Sequence, residues 1–176
     1  FFFLDESFVG YYEYGLGLES KPNEIARFSY SKTGNYKPEV LWSKKTKSIL
    51  HHWGDVFSGK IYIPGRLFRP LPKRARNIFE EHLLQNCDAE QIPYETVEIF
   101  RLNDGKHIQT IDLMEIFGRL KKLPFPGEKL VCEDSLHAND VRVIKNQRHA
   151  DFFPDGKIGD LLISFRNIDT ILLVDS

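Results

Sequence analysis

His51-His52-Trp53-Gly54-Asp55 is the densest grouping of metal-capable side chains in this chain. Imidazole nitrogens and a carboxylate are donors that zinc and similar ions take, so a metal-dependent hydrolase or nuclease could be built on His51, His52 and Asp55 if the fold supplied further ligands. Adjacent histidines point in different directions on any regular element, and both serve one ion only from an irregular loop. The plainer reading is a polar loop anchored by a buried Trp53, with no metal and no cofactor. His137 and His149 are too isolated along the chain to complete a site by spacing.

Other routes to chemistry lack their parts. Gly15-Leu16-Gly17 has neither the third glycine nor the following helix of a phosphate-binding loop. Ser58-Gly59 is no nucleophile elbow, because the flanking Gly-x-Ser-x-Gly frame is missing. Cys87 sits on the apolar stripe of a predicted helix, where a thiol packs rather than reacts. Glu128-Lys129 lacks the intervening residue and the upstream Pro-Asp of a metal-dependent nuclease. No catalytic residue is assigned, and the chain reads as a non-enzymatic binding protein.

Two surface features suit that reading. Arg66, Arg69, Lys73, Arg74 and Arg76 crowd into eleven residues with no acid among them, leading into the N-terminus of a predicted helix. That end of a helix carries partial positive charge and disfavours cations, so the arrangement breaks a local rule, as binding sites often do. Guanidinium forks there suit carboxylates or phosphates. Tyr11, Tyr12 and Tyr14, between Gly10 and Gly15, form an aromatic stretch read as an edge strand or a loop. These eight residues are the candidate partner contacts, since Arg and aromatics anchor interfaces.

The elements that would position them follow from periodicity. Phe1-Leu4, Ile25-Tyr30, Val40-Trp42 and Lys60-Pro64 read as strands, and Pro64-Gly65 with Pro70 and Pro72 predicts a bent connection. Lys73 to Cys87 repeats its apolar positions at three and four residues, the helical stripe. Tyr94-Leu102 and Lys106-Asp112 alternate around Asn103-Asp104-Gly105 as a hairpin. Leu113-Leu123 reads as a short helix ended by Pro124. Strands follow at Lys129-Cys132 and Val141-Ile144, a turn at Phe152-Gly156, and a last apolar run at Ile171-Val174. Leu161-Phe165 fits strand or helix. The pattern predicts an α+β fold, an antiparallel or mixed β-sheet with two or so helices packed on one side, as a single domain over residues 1–176.

Bulk properties agree. The chain has 176 residues, with 41% apolar and 28% charged, enough to bury one core without staples. Its 24 basic and 25 acidic residues nearly cancel, which argues against nucleic acid and anionic membranes as partners. Two cysteines, Cys87 and Cys132, make no disulfide framework and predict a reducing, cytoplasmic setting. The opening Phe1-Phe2-Phe3-Leu4-Asp5-Glu6 lacks the basic and long apolar regions of a signal peptide or a span, and the absence of an initial Met allows for native residues before it.

From Lys60 to Asp112, the order strand, proline loop, helix Arg74-Cys87, then Ile92-Pro93-Tyr94-Glu95-Thr96-Val97 and a glycine turn resembles the immunity proteins that bacteria encode beside polymorphic toxins. The resemblance implies a cytoplasmic, non-catalytic protein that occludes the active site of a cognate toxin, a protein partner. It transfers no residue-level site.

Overall fold

The structure, a computed structural model, describes residues 2–4, 7–12, 24–29, 38–70, 93–120, 134 and 136–175. Those residues are mostly strand: β1 (Phe2–Leu4), β2 (Ser7–Tyr12), β3 (Glu24–Ser29), β4 (Glu39–Lys45), β5 (Ile49–Leu50), β6 (Asp55–Phe57), β7 (Lys60–Phe68), β8 (Pro93–Arg101), β9 (His107–Asp112), β10 (Ala138–Val143), β11 (Leu161–Phe165) and β12 (Thr170–Val174). Two short helices join them, α1 (Leu113–Phe117) and α2 (Gln147–Ala150). The expected helix at Lys73–Cys87 and the strand at Lys129–Cys132 lie outside the described residues. No helix among the described residues is long and apolar enough to cross a membrane.

The strands form three sheets, ordered β1-β2-β3-β4, β5-β7-β8-β9 with β6 also on β7, and β10-β11-β12. All named pairings are antiparallel. The β7–β8 pair is central because both of its faces find apolar cover. Tyr62, Val97 and Ile99 join a core with Val141, Leu161, Ile163 and Phe165 of the third sheet. Ile61, Ile63 and Phe100 join another with Val9 and Ile25 of the first. Burial on both sides makes β8 inaccessible from Pro93 to Phe100, so its alternation cannot be read as inside and outside. α1 adds Leu113, Met114 and Phe117 to the larger core, with Phe117 edge-on to Phe165 at 5.0 Å between centroids. Asp112 starts that helix by accepting from Glu115 N at 2.8 Å.

The hairpin stands where the alternation put it, and Leu161–Phe165 is strand, as its five pairings with β12 require. The strand does not end at Pro64 in a loop, as expected: β7 continues to Phe68, paired with β8 along its length. Proline is tolerated because β7's other neighbour is interrupted there. β6 pairs with residues 60–62 and β5 with 65–66, and Pro64 faces the loop between them, where its carbonyl accepts from His51 N at 3.1 Å. A missing donor on that side breaks no ladder.

Gly105 closes the β8–β9 turn with φ +67° and carries the Trp42 ring against it. Trp42 Nε1 also donates to Leu102 O at 2.9 Å, so β4 is clamped to the hairpin. A Cβ on residue 105 would lie 2.5 Å from Trp42 Cε3 and adopt a left-handed backbone. Gly105→Ala should therefore cost ~2–4 kcal/mol from strain and overpacking together, read as a lowered urea midpoint. Gly59→Ala, left-handed but with open space around it, should cost only the smaller backbone share.

Candidate functional site

Arg66 on β7 and Glu95 on β8 are register partners. Glu95 has no exposed surface, and Arg66 Nε donates to its Oε1 at 2.9 Å. A buried carboxylate without such a partner would be strongly destabilising, so this ion pair is a condition for the strand to sit where it does. The same guanidinium reaches through Nη2 to Asp134, which precedes the third sheet. Asp134 also accepts from Arg166 Nη2 at 2.9 Å, and its carbonyl accepts from Asn167 Nδ2. Burial pushes the Asp134 carboxyl up, but the His137 hydrogen bond and the Arg66 charge outweigh it and hold the group below its ordinary range.

Three histidines complete the cluster. His51 packs beside Glu95, with Nε2 and Oε2 3.3 Å apart. His52 and His137, 85 residues apart in sequence, meet Nε2 to Nε2 at 2.6 Å. Asp134 lies 2.6 Å from His137 Nδ1 and takes its proton-bearing nitrogen, which makes His137 Nε2 the acceptor and His52 Nε2 the donor. Both facing histidines hold left-handed backbones, φ +57° and +54°. Such strain persists only where surrounding contacts dictate it. Burial, reinforced by His51, His137 and Arg66, lowers the His52 pKa to about 4. Burial also lowers that of His137, against the pull of Asp134. The pair is neutral at pH 7, and its hydrogen bonds run from His52 through His137 to the Asp134 carboxylate.

The sequence offered no route to this convergence, because its members come from the loop after β5, from β7 and β8, and from segments near residues 134 and 166. An isolated parallel bridge between Trp53 and Asp140 brings the His52 loop to β10, through Trp53 N to Asn139 O at 3.4 Å and Val141 N to Trp53 O at 3.1 Å. Trp53 itself is not the buried anchor expected but is 58% exposed, since that bridge fixes its backbone and leaves the indole outside.

The other expected site residues are placed as follows. Asp55 is not brought to the histidines as a ligand: its carboxylate accepts from Val56 N at 2.8 Å, Val143 N at 3.0 Å and Lys145 Nζ at 2.6 Å. Among the described residues no group of three or more His, Cys, Asp or Glu side chains is arranged to hold a metal ion. Arg66 is not a free surface cation, being largely buried on two carboxylates. Arg69 remains half-exposed, its guanidinium 3.6 Å from the Tyr94 ring centroid and 2.9 Å from Asp112 Oδ2. Tyr11 and Tyr12 lie on β2, paired with Ile25 and Glu24. Lys73, Arg74, Arg76 and Tyr14 fall outside the described residues.

Arg66→Met leaves Glu95 buried and unpaired and should lower stability by ~3–5 kcal/mol in urea titrations, with Arg66→Met/Glu95→Gln recovering part of the loss. The histidines add a pH dependence. The folded pKa values of His52 and His137 lie below the unfolded value, so their contribution to stability is complete above about pH 6.5 and erodes as pH falls toward 4, where the unfolded chain binds protons that the fold excludes. His52→Gln should flatten the pH profile of the thermal midpoint in that window; an unchanged slope would refute the assignment.

No family model, curated protein or solved structure matches this chain.

Proposed function

We propose that this chain acts by binding a protein partner inside the cell that makes it, as a non-catalytic immunity-type inhibitor. The observation that carries the reading is Trp53, an exposed indole on a backbone hydrogen-bonded in both directions to β10. Tryptophan is among the side chains that dominate interface energies, and one held on a fixed backbone loses little freedom on binding. The ionisable cluster beside it supports the same reading, because its cations and carboxylates are engaged with one another.

The test is co-expression with the products of neighbouring genes. One of them should be toxic alone, tolerated with this protein, and co-purify with it. Trp53→Ala should weaken that complex by ~30-fold, the loss of a typical hot spot, without moving the thermal midpoint. Absence of any toxic or co-purifying neighbour would count against the reading.

A second reading is favoured by the strained His52–His137 pair, whose hydrogen-bond line to the Asp134 carboxylate would suit general acid or base work. It predicts turnover of chromogenic ester or phosphodiester substrates that is lost in His137→Gln and kept in Trp53→Ala. No turnover across both substrate classes removes it.

A further inference from the structure

A second face of the third sheet carries an open depression. An open cavity of about 390 Å3 lies against β10, β11 and the turn after α2, with Val143, Ile144, Leu162 and Phe153 among its walls. That volume is in the range of sites that take a small molecule or a large side chain. Phe152 also lines it and is 75% exposed, an apolar ring left in water at its edge.

The charges around it are sorted by depth. Arg142, Lys145 and His149 line the cavity as well, each on exposed positions. The acids that hold two of them sit deeper: Asp55 is buried under Lys145, and Asp140, less exposed than Arg142, takes that residue's Nε at 2.9 Å. An approaching group therefore meets cations first. The Asp140 bond uses one edge of the Arg142 guanidinium, and its Nη groups suit a second carboxylate.

From this geometry we infer that the cavity seats an apolar side chain of a partner protein, from a segment whose flanking residues are acidic. Resting on the binding reading above, the inference names the partner's chemistry. The apolar walls take the central side chain, Phe152 closes over it, and Arg142 and Lys145 meet the carboxylates on either side.

The test is an NMR titration of the full 15N-labelled chain with a capped Glu-Asp-Phe-Asp-Glu peptide, beside Glu-Asp-Ala-Asp-Glu and Lys-Lys-Phe-Lys-Lys. The first should shift the amides of Val143, Ile144, Lys145, Phe152 and Leu162, and the other two should bind at least ~10-fold more weakly. Phe152→Ala and Arg142→Gln, both exposed changes, should each weaken the first peptide by a similar factor with the amide spectrum otherwise retained. Equal binding of the basic peptide, shifts confined to other regions, or indifference to both substitutions would overturn the proposal. The two readings fail separately. A toxin-like partner bound with undiminished affinity by both variants would sink the cavity alone. A peptide that titrates the cavity when no neighbouring product binds would sink the immunity reading and leave the cavity standing.

Discussion

A carboxylate sealed from water in the middle of a strand dictates much of this architecture. Glu95 belongs to β8, which is covered on both faces, and its charge is tolerable only because Arg66 stands directly across the β7–β8 ladder. Having matched Glu95, the guanidinium has donors left, and Asp134 takes one. Asp134 then ties in Arg166, Asn167 and His137. The central sheet and the third sheet are thus fastened by one chain of charge compensation as well as by their shared apolar core. A slip of one residue between β7 and β8 would separate Arg66 from Glu95 and dismantle both at once.

Glu98 shows the same constraint solved on the other face of β8 without a cation at its centre. Its two oxygens accept from Ser48, Thr96 and Thr110 and contact His107, so four side chains stand in for water. Gly65 permits that packing, because a Cβ there would come within 2.9 Å of both Glu98 and Thr96. The two acids, three residues apart, need different partners because they face different neighbours. Only the Arg66 solution reaches into a second sheet.

What was legible in the sequence was local. The Asn103-Asp104-Gly105 hairpin and the start of the short helix after Asp112 depend on residues within a few positions of each other, and they stand where turn chemistry and spacing put them, although the helix ends at Phe117 rather than running to Leu123. Pro64 misled because its tolerance is set by the gap between β5 and β6, which is a property of strand pairing. The histidine cluster was invisible for a stronger reason. His137 looked isolated because its partners, His52 and Arg66, are 85 and 71 residues away, and nothing in the residue types announces that β10 returns beside the loop after β5. Trp53 was expected as the buried anchor of a polar loop, and no spacing rule could show that a two-bond bridge would hold its backbone against β10.

The order of segments along the chain has a consequence for synthesis. All of β5 to β9 lies before residue 113, yet one face of that central sheet is covered by Val141, Leu161, Ile163 and Phe165, and Asp134 and Arg166 come later still than Arg66 and Glu95. While the ribosome is still making the last third of the protein, the emerging β7–β8 pair holds an uncovered apolar surface and an Arg66 guanidinium whose second carboxylate, Asp134, has yet to arrive. A growing chain of this design is therefore most exposed to misassembly before β10 and β11 arrive to cover that face.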